Sequence, residues 1–330
     1  MLKAPGWITH RRFVDLRTDY LIGVAVIAAA ALVLFLGVGG AYGLSVVTAF
    51  LFYAIVTLGW CLLAGYGGMF SLAPSTTVMI AAYVSAVASN AGWPMLLAVV
   101  LGVASGALMG LIVALATSRL KGHYFALATL VTAEIVRLVV TNEYDLTGGE
   151  AGLRTGPLIP GGWDIAMPAI LGVSLIVILS GLLFALRGTP GVVIQAIRDD
   201  EEIALVRGIN VPLVKTLIVV IGSSIMALGG ALYVHYIQLA TPQMGSLFQT
   251  TFVLAIGIIG GIRSISGPIV GAAVVIALQE LLRDYPFIHM GLTALAILGV
   301  CQFAPAGLAG VVLRRMQAIR EKIIFKEHSL

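Results

Sequence analysis

Charge is what this sequence has least of. Only 10% of its 330 residues are Asp, Glu, Lys or Arg, against 60% apolar residues and a mean hydropathy of +1.06. A water-soluble domain carries about 25% charged residues and about 45–50% apolar ones with glycine counted, and here 39 glycines come on top of the apolar share. An ordinary soluble enzyme is excluded, and the composition is that of an integral membrane protein. Cysteine is also scarce: Cys61 and Cys301 both fall in apolar runs, which leaves no disulfide framework or zinc cluster and reads as packing. No segment alternates with the two-residue period of a membrane barrel, so the fold is expected to be all-α, a polytopic transmembrane helical bundle. No Gly-x-x-x-x-Gly-Lys-[Ser/Thr] loop occurs. The chain is therefore expected to bind no ATP in that manner, and no cofactor or metal, so energy must come from another polypeptide or an ion gradient.

Ten apolar runs lie between the few charges: 20–36, 41–64, 69–89, 94–117, 122–140, 165–186, 213–239, 248–262, 268–282 and 287–303. A hydrocarbon core of about 30 Å takes about 20 helical residues, so most runs can cross. Those at 248–262 and 268–282 would reach only about 22 Å as helix. They read either as two short crossings or as one re-entrant pair, giving ten spans or eight. The first run follows Lys3, Arg11, Arg12 and Arg17, but its long leader and the membrane-length sequence after it argue for a span and against a cleaved signal. With either count the termini share a side, and of the 19 Lys and Arg only Arg137, Arg154 and Arg283 fall elsewhere. That bias places both termini in the cytoplasm and accounts for the net charge of +4 without nucleic acid. The expected organisation is a cytoplasmic segment at 1–19, a membrane domain at 20–309 with a cytoplasmic loop at 187–212, and a basic cytoplasmic tail at 310–330.

Two stretches echo one another. Gly67-Gly68-Met69-Phe70-Ser71-Leu72-Ala73-Pro74 and Gly260-Gly261-Ile262-Arg263-Ser264-Ile265-Ser266-Gly267-Pro268 are both Gly-Gly-x-x-Ser breaks ending in Pro. Corresponding Gly/Pro interruptions in two halves of a transporter mark unwound helix near a solute path; the plainer reading is two turns in a glycine-rich chain. Gly67, Gly68, Ser71, Pro74, Gly260, Gly261, Ser264, Gly267 and Pro268 are the candidate path residues.

The densest charge cluster is Arg198-Asp199-Asp200-Glu201-Glu202. It sits in a stretch read as one amphipathic helix, entered at Pro190, carrying Val193, Ile197 and Leu205 as its apolar stripe and stopped by Gly208. Such a helix can lie on lipid or dock in a protein groove. Successive carboxylates are repelled by an anionic leaflet, which favours a basic protein partner. Glu134 and Arg137 lie three apart in an apolar run and can pair, as a structural ion pair or as part of a pathway. His123 and His235 read as hydrogen-bonded packing residues near helix ends. The outer loop at 142–164, with Glu143, Asp145, Glu150 and Arg154, could meet a solute-delivering protein or be a solvated connector.

The run Ala196-Ile197-Arg198-Asp199-Asp200-Glu201-Glu202-Ile203-Ala204-x-x-x-Gly208-Ile209-Asn210 resembles the cytoplasmic loop of ABC importer permeases, where a Glu-Ala-Ala-x-x-x-Gly pattern docks on the ATPase. With Lys121-Gly122-His123-Tyr124-Phe125-Ala126, Glu134-Ile135-Val136-Arg137-Leu138, Leu146-Thr147-Gly148-Gly149, Gly229-Gly230-Ala231-Leu232-Tyr233, Gly267-Pro268-x-x-Gly271-Ala272 and Pro305-x-Gly307-Leu308, the chain resembles the LivM-type permeases of branched-chain amino acid transporters from about residue 53 to 313. The resemblance implies an inner-membrane permease subunit, not itself an enzyme. Its implied partners are a second, LivH-like permease, two cytoplasmic ATP-binding subunits and a periplasmic solute-binding protein. It also implies that Arg198, Asp199, Asp200, Glu201, Glu202, Ala204 and Gly208 couple to the ATPase. The chain departs from the family where a Gly-Gln-x-Ser-x-Gly-His stretch is common, having Gly68-Met69-Phe70-Ser71-Leu72-Ala73-Pro74. Without the amide and imidazole, a hydrophobic amino acid suits the path better than urea or a short amide. An ion-coupled transporter or a passive channel would leave the acidic helix unexplained.

Overall fold

The computed structural model describes residues 16–35, 40–117, 120, 122–159, 166–283, 291, 295, 299 and 307–311. Its helices are α1 (Leu16–Phe35), α2 (Gly40–Cys61), α3 (Pro74–Asn90), α4 (Met95–Ala116), α5 (His123–Asn142), the short α6 (Tyr144–Thr147), α7 (Ala166–Arg187), α8 (Thr189–Asp199), α9 (Glu201–Val206), α10 (Val211–Ile237), α11 (Leu247–Gly260) and α12 (Gly267–Leu281). Two strands of two residues, β1 (Leu153–Arg154) and β2 (Leu239–Ala240), pair antiparallel. The fold is an all-α bundle. Among the described residues, five helical stretches are long and apolar enough to cross a membrane: Tyr42–Tyr66, Met95–Ala116, His123–Asn142, Ala166–Arg187 and Val211–Ile237. The run at 287–303, Cys301 and the tail at 312–330 lie outside the described residues, the isolated positions 291, 295 and 299 excepted.

The centre of the bundle is α10, whose 27 residues reach about 40 Å. It packs on α2, α3 and α4. Its approach to α4 is set by Gly102, Gly106 and Gly110, spaced four apart: a methyl group at these positions would meet Ala231 Cβ at 2.9 Å, Ala227 Cβ at 2.2 Å and Ser223 Oγ at 2.5 Å. Lipid tails are as apolar as leucine, so membrane helices associate through such close packing and not by escaping water. The opposite face of the bundle is closed by α7, α1 and α12 against α2, around Leu171, Leu175, Leu179 and Ile269.

Contacts mark the two ends. At one end Tyr42 near the start of α2 hydrogen-bonds Glu280 at the close of α12, and Asn90 Nδ2 donates to the Arg154 carbonyl at 2.7 Å. At the other lie Asp19, Arg198 and the start of α10. The short α11 and α12 run between these ends, α11 from just beyond β2 to Gly260 and α12 from beside Asp19 to Glu280. At 14 and 15 residues they are shorter than the five stretches long enough to cross.

Two elements differ from the sequence expectation. The run at 69–89 becomes helical only at Pro74, because the chain from Gly67 to Ala73 stays unwound and Pro74 takes the first helical turn, where a missing N–H costs nothing. The amphipathic helix expected from Pro190 to Gly208 is two helices. Asp200 adopts φ −157° and ψ 108°, and its carboxylate accepts from the Glu202 and Ile203 amides at 3.0 Å, so it ends α8 and caps α9. The kink changes the faces: Val193 is half-buried and Ile197 buried as expected, but Leu205 is 50% exposed.

Candidate translocation and coupling site

The first break begins inside α2. Beyond Cys61 the helix widens into a π turn over Leu62–Tyr66, with the Gly67 amide donating to the Leu62 carbonyl at 3.0 Å and the Met69 amide to the Leu63 carbonyl at 2.9 Å. Single π turns insert one residue into a helix and recur at functional sites. Unwound backbone inside a membrane must find partners in the protein, and it does so here. Trp60 Nε1 donates to the Ser71 carbonyl, and the Leu72 amide to Thr129 Oγ1 of α5, both at 2.9 Å. Gly68 sits at φ +69°, the left-handed region that favours glycine, and is exposed; Met69, Ser71, Ala73 and Pro74 are buried.

The second break is built around a carboxylate that sequence reasoning missed. Asp19 of α1 is buried, and its Oδ1 accepts from Ser264 Oγ at 2.7 Å and the Ser266 amide at 3.1 Å. Its Oδ2 accepts from the Ile265 amide at 2.7 Å, and the Ser266 hydroxyl donates as well. Ser264 Oγ in turn accepts from the Gly267 amide at 3.1 Å. The negative charge thus lies at the positive end of the α12 dipole. Gly260 and Gly267 pack backbone to backbone: a Cβ on Gly260 would stand 1.8 Å from the Gly267 carbonyl oxygen. Gly261, at φ +114°, is covered by Gly307 of the Pro305-x-Gly307-Leu308 stretch. The cue for Asp19 was faint, the second of two carboxylates flanking Arg17 at the edge of an apolar run, placed by sequence in the N-terminal segment.

The two breaks adjoin. A Cβ on Gly65 would lie 1.9 Å from the Ile262 carbonyl oxygen, so the π turn presses directly on the second break. Helix α8 is attached to the same place, because Arg198 Nη1 donates to the Gly65 carbonyl at 3.1 Å and its side chain covers Gly68. Arg198 also pairs with Asp199 at 3.0 Å, and the exposures of the two side chains, 14% and 65%, show that the arginine turns inward and the aspartate outward. Lys215 of α10 pairs with Glu201 at 2.7 Å. Ala204 is buried with Ile197 and Val211, and Gly208, at φ +80°, closes α9 while the Ile209 amide donates to the Ala204 carbonyl. The outward surface of α8 and α9 carries Asp199, Asp200 and Glu202 together with exposed Val192, Ile203, Leu205 and Val206. A cavity of about 180 Å³ opens between the Gly67–Gly68 corner, the α8–α9 junction, the end of α4 and the starts of α5 and α10.

Away from this junction, Arg137 Nε donates to both carboxylate oxygens of Glu134 at 3.2 and 3.0 Å, so the two charges pair as their spacing predicts. The pair lies in the middle of α5, the most lightly covered of the five long helical stretches, with Glu134 46% exposed. It does not touch the breaks. His235 is buried at the far end of α10, bonded to Ser85 Oγ at 2.8 Å and the Gly156 carbonyl at 3.0 Å, where it fastens the 142–159 loop to α3. Cys61 is buried against Gly257.

Known proteins are similar to this chain in sequence. The chain is 28% identical over 261 residues to the high-affinity branched-chain amino acid transport system permease protein LivM of Salmonella typhimurium, an overlap covering 70% of this chain and 59% of that protein. It is 26% identical over 201 residues to a probable branched-chain amino acid transport permease protein LivM of Methanocaldococcus jannaschii, covering 58% and 57%. It is 24% identical over 254 residues to the permease protein LivH of Escherichia coli, covering 71% and 82%. The match thus spans less than two thirds of the length of these LivM relatives. No solved structure matches the chain at a significant level. The family model described as branched-chain amino acid transport system / permease component matches residues 42–301, from the first turn of α2 to beyond α12. With most of its length inside that match, the chain belongs to the branched-chain amino acid transport system permease family.

Proposed function

We propose that the chain is the membrane permease subunit of an ATP-driven ABC importer of branched-chain or other hydrophobic amino acids. In this reading the Arg198 end faces the cytoplasm, both termini lie there, and the membrane is the inner, plasma membrane. ATP is hydrolysed by two separate cytoplasmic subunits. A second, LivH-like permease completes the membrane part, and a periplasmic binding protein delivers solute to the end that carries Glu150.

The observation that carries this is the α8–α9 surface, a kinked pair of helices presenting acidic and apolar side chains outward while Arg198 reaches into the π turn of α2. A surface that only lay in lipid would have no use for Asp199 and Glu202. One that docks on an ATPase needs charge for register and apolar anchors for affinity. Closure of the ATPases on ATP would then move α8 and α9, and with them the corner at Gly67 and Gly68. The unwound stretch buries Met69 and Ala73, which favours an aliphatic side chain over urea wherever solute meets it, while the cavity at the Gly68 corner is lined by the charged α8–α9 junction and belongs to the coupling side. The Glu134–Arg137 pair supports a partner permease against α5, because a charge at mid-bilayer costs about 2.5–3.5 kcal/mol on insertion scales.

Reconstitution with the ATPase subunits and the binding protein tests the reading. Leucine or a similar amino acid should accumulate only with ATP, and mass spectrometry of the purified binding protein should find an aliphatic amino acid bound. Bound urea or amide would replace the substrate; uptake that persists without ATP would overturn the importer. Orientation has its own test: cysteines at Glu150 and Asp199 should react oppositely with an impermeant thiol reagent, Glu150 from outside intact cells and Asp199 only after lysis.

A further inference from the structure

We propose that Asp19 is a positioning residue for transport, the fixed anchor of a linkage running from Asp19 through the 264–267 turn, Ile262 and the Gly65 π turn to Arg198. The proposal rests on the importer reading and adds a residue and a path of force to it.

Each joint is a short contact between elements far apart in sequence. Asp19 takes two amides and two hydroxyls from residues 264–266, which fixes that turn to α1 and to the start of α12. The turn carries Ile262, whose carbonyl meets Gly65 so closely that no side chain fits between them. Gly65 lies in the π turn, and its carbonyl is held by Arg198 of α8. A π turn holds one residue more than the α-helical register and recurs at functional sites, which makes it the joint where a displacement of α8 would be taken up. Of the two ends, Arg198 is borne on a short surface helix, whereas Asp19 is buried in the packed face formed by α1, α7 and α12. A displacement of α8 can act on the π turn only if the other side of the turn stays in place. Asp19 keeps it there without touching solute or ATPase.

The test is a double-mutant cycle in the complete transporter reconstituted in liposomes with the binding protein, reading solute taken up per ATP hydrolysed. Asp19→Asn keeps the shape but cannot accept all four donors, and Arg198→Gln removes the guanidinium. Each should lower the ratio about tenfold, and the double variant should be no worse than the weaker-coupled single, because one broken linkage cannot be broken twice. Asp19→Glu, which keeps the charge, should recover part of the loss. Independent structural damage would instead multiply the two effects, and that result, or normal coupling in Asp19→Asn, overturns the proposal. Should Asp19→Asn not assemble, Ser264→Ala takes its place in the cycle; if neither assembles, the cluster is a folding element and the proposal falls. Loss of ATP-dependent uptake by the unaltered complex would instead count against the importer reading.

Discussion

At the first glycine pair the chain leaves α2 through a π turn, Gly68 faces an open cavity, and the nearest neighbour is the flexible stem of Arg198. At the second, Gly261 is buried, its neighbours are the backbones of 267 and 307, and a carboxylate from another helix holds the turn. The two stretches share a Gly-Gly-x-x-Ser opening and a closing Pro, yet one corner is exposed and the other is packed on every side. A repeated motif therefore gives two stretches the same ability to break a helix, and the surroundings decide how tightly each break is packed.

Substitutions separate the two. The largest effect is expected for Gly260→Ala, where the new methyl would overlap the Gly267 carbonyl with only backbone to yield. Such overpacking has no rotamer that relieves it, and no detergent-stable complex should be recovered on size-exclusion chromatography. Asp19→Ala comes next, since it orphans buried donors at about 1–3 kcal/mol each; the complex should form but melt well below the unaltered one. Gly68→Ala should be milder, costing about 1–2 kcal/mol for its left-handed backbone and pressing on Arg198 Cγ, 2.8 Å away. Assembly should survive while the uptake rate falls. A Gly68→Ala complex that cannot assemble, or a Gly260→Ala complex that can, would erase the distinction. The smallest effect belongs to Asp200→Ala, which removes the α9 cap for about 1 kcal/mol and should loosen ATPase binding a few-fold without touching either break.

Much of the architecture could be read directly. Lipid demands long uninterrupted apolar helices, and α2, α4, α5, α7 and α10 announce themselves by that demand alone. The Glu134–Arg137 pair was equally plain, because helical geometry fixes which residues three apart can meet. The unwound run before Pro74 was half legible: its glycines signalled a break, but the run is held by Trp60 and by Thr129 of α5, and the π turn ahead of it by Arg198 of α8. Arg198 looked like one more member of a surface charge cluster, and only the kink at Asp200 and the nearby Gly65 carbonyl turn it inward. Asp19 was hidden for the same reason on a larger scale, since its partners lie some 245 residues away and nothing local marks it as their acceptor.

Helix α3 carries a consequence for how the protein is made. It is 17 residues long, opens with Ser75, Thr76 and Thr77, and is buried along most of its length, against α2, α4, α10 and the 242–245 turn. A segment so short and so polar at its start has little to recommend it to the bilayer when it first leaves the ribosome, yet α10 is synthesised some hundred residues later. Its lodging during that interval must come from α2 and α4 on either side, so the three should enter the membrane as one unit, and the site around Gly68 can take its final shape only after α10 arrives.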